Sequence, residues 1–273
     1  MESGGVAVVT GASSGIGRAT AERLALDPGT ELVLVARREE LLRELAAALP
    51  CPAGFVAVDL TAEHAPERVR EHLEQQHGGR LDLLVNNAGA AWRGSFAESG
   101  HANVQRHMEI NFDAVVRLTE ALLPLLRGSA PSAIVNVAST AGRVARARTG
   151  AYSASKFALI GWTDALALEE APHGVHVGMV LPGFVPTEGF PATELREKAL
   201  TRLLLSSPEK VAEAIHQVGP GGRAERYVPR PYALAGMLRI LAPGLVRRVL
   251  GGGAADSLTT STTGDRAPAD DRS

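Results

Sequence analysis

Short apolar runs rich in β-branched residues alternate with longer amphipathic stretches along most of this chain. The short runs are continuously apolar, which is typical of strands that are buried on both faces of a sheet. We predict strands at residues 6–10, 31–36, 55–59, 81–86, 133–139, 175–181 and 226–229. We predict helices at residues 15–26, 38–49, 66–76, 103–126, 151–171 and 208–218.

Regular alternation of strands and helices indicates βαβ units. The predicted fold is therefore α/β: a Rossmann-like, doubly wound parallel sheet, flanked by helices on both faces, in a single domain. We place this domain at residues 1–229, because no linker-like stretch interrupts the first 220 residues. An apolar and basic helical extension is expected at 230–250. Residues 251–273 are expected to be disordered, because Leu258 is their only large apolar residue.

Composition narrows the possible partners and compartment. The chain has 273 residues, 45% of them hydrophobic, and a formal net charge of −2. This balance gives no basic footprint for nucleic acid, so nucleic acid is not an expected partner. Cys51 is the only cysteine and lacks the spacing of a metal site, which favours a reducing compartment. Neither a secretion signal nor a membrane-spanning run is visible, and we expect a cytoplasmic protein without a metal.

A glycine-rich turn joins the first predicted strand to the first predicted helix. Its candidate binding residues are Gly11, Ser13, Ser14, Gly15, Ile16 and Gly17. Glycines at this place allow a sharp turn and let the backbone approach a pyrophosphate, whose charge the helix N-terminus stabilises. The spacing is G-x-x-x-G-x-G, and the alternative interpretation is a tight turn without a ligand.

Two arginines end the second predicted strand, where a dinucleotide fold reads the adenosine ribose. A guanidinium at this place pairs with the 2′-phosphate of NADP, whereas an acid would accept from a 2′-hydroxyl. Arg37, supported by Arg38, therefore favours NADP(H). The alternative is a solvated first helical turn in which Glu39 and Glu40 partner the arginines.

A tyrosine and a lysine lie one helical turn apart, at Tyr152 and Lys156. An ammonium group next to a phenol stabilises the phenolate, so such a pair can act as an acid–base unit. Y-x-x-x-K alone is common on exposed helices. Its neighbours give it weight, because Ser139 and the sequence at 86–89 end two buried strands at the edge where parallel sheets bind ligands.

Taken together, these motifs resemble the short-chain dehydrogenase/reductase family in its compact single-domain form. The resemblance covers residues 5–229, and the motifs agree in type, order and spacing. They are T-G-x-x-x-G-x-G at 10–17, Asp59 after the third strand, N-N-A-G at 86–89, Asn111, Ser139, Y-x-x-x-K at 152–156 and P-G-x-V-x-T at 182–187.

The resemblance implies residue roles. Tyr152 is expected to be the acid in carbonyl reduction, and Ser139 to hold the substrate oxygen. Lys156 is expected to bind the nicotinamide ribose and to lower the pKa of Tyr152, and Asn111 to anchor a water for proton relay. Around the cofactor we expect Asp59 and Leu60 beside the adenine, Asn87 at the ribose and Thr187 at the carboxamide, with Ala88, Gly89, Pro182, Gly183 and Val185 completing the site. Taken singly, Asn111 also fits a capping or core amide, and Asp59 a strand-end cap.

Four segments are expected to face the substrate or a partner. Trp92 and Phe96, in the loop at 90–100, are expected to line an apolar pocket. Arg143, Arg146 and Arg148 either meet an anionic substrate or lie in a solvated or subunit-facing loop. Residues 188–206 are expected to form a mobile flap over the substrate. Residues 227–250 carry only basic charges, and fit a hydrophobic cover, a membrane-surface helix or a helix packed on a neighbouring subunit.

The sequence therefore favours an NADP(H)-dependent oxidoreductase that interconverts a small-molecule carbonyl and a secondary alcohol and acts on an apolar or lipid-like substrate. The helices at 103–126 and 151–171 are expected to form the interface of a homodimer or homotetramer. The alternative is a non-catalytic NADP-binding regulatory or scaffold protein of the same fold. An epimerase or dehydratase is disfavoured, because the region after Thr187 is too short for a separate substrate domain.

Overall fold

The computed structural model describes residues 5–186 and 205–251. Seven parallel strands form one sheet in the order β3-β2-β1-β4-β5-β6-β7, which confirms the predicted fold class. The strands are β1 (Gly5–Thr10), β2 (Thr30–Ala36), β3 (Ala53–Ala57), β4 (Leu83–Asn86), β5 (Ser132–Val137), β6 (Val175–Pro182) and β7 (Glu225–Val228). Asp59 and Ser139 lie two residues beyond β3 and β5, rather than within the strands as expected.

Helices cover both faces of this sheet. They are α1 (Gly15–Leu24), α2 (Glu39–Ala48), α3 (Ala65–His77), α4 (Phe96–Met108), α5 (Ala114–Gly128), α6 (Gly150–Glu170), α7 (Pro208–Val218), α8 (Tyr232–Leu241) and α9 (Pro243–Gly251). One core cluster joins α1, α2 and α7 to the sheet, with Leu24, Leu42 and Ile215 buried in it. A second cluster, containing Leu73 and Leu118, joins α3, α5 and α6 to the other face.

Residues 103–126 are helical, as predicted, but they do not form one regular α-helix. The structure has α4, a five-residue π-helical turn at Glu109–Asp113, and then α5. Helical structure begins earlier, at Phe96, because Ser95 and Glu98 form a reciprocal capping box, and a kink at Gly100, with φ +56°, separates this first turn from the rest of α4. The side chain of Asn111 leaves the helix surface to bond the backbone of Ala90, at the point where the helix widens. Apolar residues keep a helical period across this turn, so the pattern concealed it.

The strand order of the sheet reverses at β1. β1 pairs with both β2 and β4. The connection after β1 leads to α1 on one face, and the connections from β3 to β6 run over the other face. In doubly wound sheets, ligands bind at the carboxyl ends of the strands beside this switch point. The turn after β1 and the loop after β4 therefore border the expected site.

Two predicted segments fall largely outside the described residues. They are the tail at 251–273, apart from Gly251, and the flap at 188–206, of which only Leu205 and Ser206 are described. Thr187 also lies outside. Phe184 pairs with Leu205, and the amide of Ser206 donates to the carbonyl of Phe184 at 2.9 Å. The residues on either side of the gap are thus joined at the carboxyl edge of the sheet.

The predicted extension at 230–250 consists of α8 and α9. Its first turn packs on the body of the protein, because the ring of Tyr232 lies against Gly183. Further along, large apolar side chains face outward, including Ile240 and Leu241, which are 74% and 76% exposed. Within residues 5–186 and 205–251, no helix combines the length and apolar character needed to span a membrane.

Candidate active site

The turn after β1 has the geometry of a pyrophosphate cradle. Gly11 has φ +67° and Gly15 has φ +54°, conformations that favour glycine. A Cβ at Gly17 would collide with the carbonyl oxygen of Gly11. Ser14 is the N-cap of α1, yet its side chain makes no capping bond, and the first helical turn has no acidic residue. The N-terminal amides of α1 are therefore available to an anion.

Thr10 fastens the loop after β4 to this turn. Its hydroxyl accepts from the amides of Asn87 and Ala88 at 2.9 and 3.0 Å and donates to the carbonyl of Val85 at 3.2 Å. The Asn87 amide group donates to the Thr10 carbonyl at 2.8 Å. The structure thus brings Asn87, Ala88 and Gly89 beside the glycine turn, as the motif order predicted.

Basic and acidic side chains follow β2 and β3 at the same edge. Arg38 donates to the hydroxyl of Ser13 at 3.3 and 3.2 Å. Arg37 is 78% exposed in its side chain and lies 3.8 Å from a carboxylate oxygen of Asp59. Asp59 also accepts from the amide and hydroxyl of Thr61, at 3.0 and 2.8 Å. Leu60 is buried next to it. Both guanidinium groups therefore lie at the carboxyl edge of the sheet, near the glycine turn and Asp59.

The short turn that follows Ser139 packs closely against α6. Ser139 caps this 3₁₀ turn, at Thr140–Gly142, by accepting from the amide of Ala141 at 3.1 Å. A Cβ on Gly142 would lie only 2.6 Å from the Ile160 side chain and 2.8 Å from the Lys156 carbonyl oxygen. Glycine is thus required for this contact. The Ser139 hydroxyl donates toward the Pro182 carbonyl at 3.4 Å.

Tyr152 and Lys156 lie on the first turns of α6, next to Ser139 and the loop after β4. Burial raises the pKa of Tyr152, and hydrogen bonding with Ser139 and the charge of Arg146 oppose this effect. Lys156 is 5% exposed, and its Nζ donates to the carbonyl of Val137 at 2.8 Å. Burial lowers its pKa to about 8. The groups that lower the pKa of Tyr152 are thus Ser139 and Arg146, whereas the resemblance implies that Lys156 lowers it.

Asn111 connects three parts of the site. Its Nδ2 donates to the carbonyl of Ala90 at 2.9 Å and to the hydroxyl of Ser155 at 3.1 Å. Its Oδ1 accepts from the amide of Ala90 at 2.9 Å. Asn111 therefore ties the loop after β4 to α6, which is the core-amide role that the sequence left open. Its expected role in holding a water stays a prediction.

Pro182, Gly183 and Val185 lie at and beyond the end of β6. The amide of Gly183 donates to the carbonyl of Val228 at 2.8 Å, and Val185 is buried. These residues border the expected site on the side of β7. Of the expected cofactor residues, Thr187 alone falls outside the described part of the chain.

The loop at 90–100 differs from its expected role. Phe96 is 75% exposed and opens α4 rather than lining a pocket. The ring of Trp92 lies under the guanidinium of Arg106 at 4.4 Å and edge-on to His107 at 4.9 Å. The sequence interpretation missed His107, which is fully buried and whose ring lies 6.1 Å from that of Tyr152.

His107 supports this loop as a neutral imidazole. Its Nε2 accepts from the amide of Trp92 at 3.0 Å, so its Nδ1 donates to the carbonyl of Asn103 at 2.6 Å. Burial lowers its pKa, which favours the neutral form. A lone histidine one turn before Asn111 gave no sequence signal of this position. Thr10, by contrast, was visible as the first residue of the glycine motif.

The described residues fit a nicotinamide dinucleotide. The helix N-terminus without a capping side chain offers amides to the pyrophosphate, and Gly17 leaves space that a Cβ would fill. A Cβ on Gly89 would lie 2.7 Å from the Asn111 amide oxygen and 3.7 Å from Lys156 Nζ. The lysine ammonium therefore reaches the backbone that borders the expected site.

Comparison with known proteins identifies the family that the sequence motifs resemble. The family model described as short chain dehydrogenase matches residues 5–198. The ketoacyl reductase HetN of Nostoc is 34% identical over 78% of this chain and 74% of its own length.

Two solved structures share the fold. A short-chain dehydrogenase from Streptomyces avermitilis is similar with a TM-score of 0.75 and 32% identity, over 95% of this chain and 100% of that one. L-Sorbose reductase from Gluconobacter frateurii, complexed with NADPH and L-sorbose, is similar with a TM-score of 0.71 and 29% identity, over 82% of this chain and 94% of that one. The chain described here therefore belongs to the short-chain dehydrogenase family, whose members are oxidoreductases that use a nicotinamide cofactor.

Proposed function

We propose that this protein is an NADP(H)-dependent oxidoreductase that interconverts a carbonyl and a secondary alcohol. One observation carries the proposal: Ser139, Tyr152 and Lys156 meet at the carboxyl edge of the sheet, beside a glycine turn shaped for a pyrophosphate. A scaffold protein that only binds the cofactor has no use for a buried phenol, hydroxyl and ammonium in this arrangement.

Each side chain has a distinct task in this proposal. The nicotinamide cofactor supplies or accepts the hydride when bound. Ser139 holds the substrate oxygen with its hydroxyl, and Tyr152 gives a proton to that oxygen during reduction or removes one during oxidation. Lys156 directs N–H donors to the cofactor ribose while the Val137 carbonyl fixes its Nζ. Asn111 holds the Ala90 loop and α6 in register, and relays protons through a bound water.

The preference for NADP(H) rests on Arg37 and Arg38. Both are exposed beside the glycine turn and Asp59, where a 2′-phosphate would lie. An arginine pairs with phosphate through charge-assisted hydrogen bonds, which an NAD ribose cannot offer. The NADPH complex of the sorbose reductase supports this choice by similarity.

The proposed substrate is apolar or lipid-like. Tyr232 of α8 lies against Gly183 at the rim of the site, so the apolar helices α8 and α9 extend directly from it. The name of the Nostoc relative, a ketoacyl reductase, supports a carbonyl compound with an alkyl chain.

We further propose that α8 and α9 touch an anionic lipid surface. Leu234, Met237, Ile240, Leu241 and Leu245 are all more than half exposed. Residues 226–251 contain arginines but no acidic residue. Apolar side chains interspersed with basic ones suit the interface of an anionic bilayer.

The proposed assembly is a homodimer or homotetramer that uses α5 and α6, in the cytoplasm. Phe157 and Leu168 are 44% and 80% exposed on α6. They are eleven residues apart, about three helical turns, and so share one face. Sedimentation of a stable monomer at micromolar concentration would contradict this assembly.

Substitution Tyr152→Phe tests the proposed reaction. It removes only the hydroxyl, so turnover is expected to fall about 10²- to 10⁴-fold while NADP affinity is kept. Substrates come from a screen of aldehydes, ketones and alcohols of graded chain length, followed by NADPH absorbance. Tyr227→Phe is the matched control, because it removes a tyrosine hydroxyl outside the proposed acid–base group.

Two results would count against the proposal. Near-wild-type turnover by Tyr152→Phe would place the proton donor elsewhere. Tight NADP binding without turnover of any screened compound would instead favour the non-catalytic binding protein.

A further inference from the structure

The loop between Ser139 and Tyr152 carries three arginines that have different partners. Arg143 forms an ion pair with Glu225 at 2.8 Å, and Arg148 forms one with Glu98 at 3.0 Å. Arg146 has no carboxylate partner among residues 5–186 and 205–251. Its guanidinium lies over the ring of Phe184, 4.4 Å from the ring centroid. The middle arginine of the loop thus differs from its two neighbours.

Arg146 faces the reacting end of the site. The carbonyl of Pro182 accepts from the Ser139 hydroxyl at 3.4 Å. Phe184, on which the Arg146 guanidinium lies, is only two residues further along the chain. The charge of Arg146 also acts on the hydroxyls of Tyr152 and Tyr232. The guanidinium is therefore near enough to the proposed proton donor to touch a substrate held there.

In the described part of the chain, no carboxylate forms an ion pair with Arg146 to compensate its charge. The side chain is partly buried, and burial lowers its pKa, as does the nearby positive charge of Arg93. Removing a cation from water is costly unless an anion or a set of hydrogen bonds compensates it. The aromatic face of Phe184 offers part of this compensation. A bound anion would offer the rest.

We propose that Arg146 binds an anionic group of the substrate, a carboxylate or a phosphate, on the side of the site lined by Phe184 and Tyr232. This inference rests on the proposed function and narrows its substrate class. The substrate is then an amphiphile, with a carbonyl at Tyr152, an anionic group at Arg146 and an apolar remainder. The planar guanidinium matches a carboxylate or phosphate with two parallel hydrogen bonds.

The test compares charged and neutral forms of one carbonyl compound. Oxodecanoates with the ketone at carbon 3, 4 or 5 are paired with their methyl esters, which keep the chain and lose the charge. Arg146→Met removes the charge and leaves an unbranched apolar side chain at this position. It is expected to raise KM for the preferred oxodecanoate roughly ten- to a hundredfold, with KM for the ester within about twofold of wild type. Arg148→Met is the matched control, and is expected to leave both KM values unchanged.

A binding measurement separates this inference from the proposed reaction. Decanoate has no ketone to reduce, and calorimetry with the NADP-loaded protein is expected to show weaker decanoate binding by Arg146→Met than by wild type. Equal binding by both proteins would overturn the inference even if the esters are reduced. An equal loss of kcat for the acid and the ester, together with a shifted pH profile of kcat, would also overturn the inference, because Arg146 would then act through Tyr152. Weaker decanoate binding without any ketone reduction would support the anion site and contradict the proposed reaction.

Discussion

At the scale of single residues, Lys156 is a buried cation with one protein acceptor, the Val137 carbonyl, in the described part of the chain. Its folded-state pKa is about 8, against 10.5 for a free lysine. Between these values the unfolded chain binds a proton that the folded chain lacks, so stability rises as pH rises through this window. Relative to Lys156→Met, the cofactor-free wild type is expected to gain about 1 to 2 kcal/mol between pH 7.5 and 9.5.

Urea unfolding of both proteins at the two pH values measures this difference. Other groups that titrate in the same range are common to both chains and cancel. A pH-independent difference would show that Lys156 keeps its proton in the folded state.

The choice between NADP and NAD is also decided by single side chains. Arg37→Asp removes a cation from the proposed 2′-phosphate site and adds a repelling carboxylate next to Asp59. NADP affinity is expected to fall about ten- to a hundredfold, with little change for NAD. Titration calorimetry measures both constants. Arg43→Gln is the control, since its partners are Glu39 and Glu40 on α2, and equal wild-type affinity for both cofactors would refute the assignment.

Residue types and spacings predicted which side chains meet in the site, but not how each is held. Gly11 and Ser139 follow predicted strands and Tyr152 lies at the start of the next predicted helix, and this order was enough to place them at one edge of the sheet. The contact of Arg146 with Phe184 joins residues far apart in sequence, and nothing local encodes it. The burial of His107 likewise depends on the path of the loop that carries Trp92.

At the scale of elements, the hydroxyl of Thr10 joins the ends of β1 and β4. Thr10→Val keeps the shape of the side chain but leaves the amides of Asn87 and Ala88 without their acceptor. The free energy of unfolding is expected to fall by about 1 to 3 kcal/mol. NADP affinity is expected to fall as well, because the loop after β4 borders the glycine turn.

Thr10→Ser is the rescue variant, since it keeps the hydroxyl and loses only a methyl group. Denaturant unfolding and NADP titration of the two variants separate the hydrogen bonds from packing. Equal losses in both variants would mean that the methyl group, not the hydroxyl, matters at this position.

Apolar runs predicted the strands well because five of them, β1, β2, β4, β5 and β6, are buried almost throughout, whereas β3 and β7 at the edges of the sheet are only partly buried. The apolar pattern could not show the π turn at Glu109–Asp113, since the apolar positions continue through it. That turn depends on bonds from Asn111 to Ala90 and Ser155, which belong to other elements. The observed start of a helix also differs from the predicted one where the N-cap residue was not recognised, as at Ser95.

At the scale of the whole molecule, α8 and α9 are expected to direct the protein to anionic membranes. Wild type is expected to co-sediment with vesicles of phosphatidylglycerol and phosphatidylcholine, and less with phosphatidylcholine alone. Ile240→Glu with Leu241→Glu should abolish binding, and Arg247→Gln with Arg248→Gln should weaken it and its salt dependence. Reduction of a short water-soluble ketone by these variants is expected to match wild type.

An absence of binding to either vesicle would refute this membrane contact. A dimer that becomes monomeric on Ile240→Glu with Leu241→Glu would assign the same surface to a second copy. Sedimentation of each variant distinguishes these outcomes.

The pairing of Phe184 with Leu205 has an evolutionary consequence. Phe184 and Leu205 hold the two ends of the intervening stretch together outside the glycine turn and α6, and the entropy cost of joining two chain ends grows only with the logarithm of the length between them. Doubling a flexible loop costs only about 0.6 kcal/mol. Descendants of this gene could therefore exchange or lengthen the stretch as a unit and acquire new substrates, while the inherited cofactor-binding half stays intact.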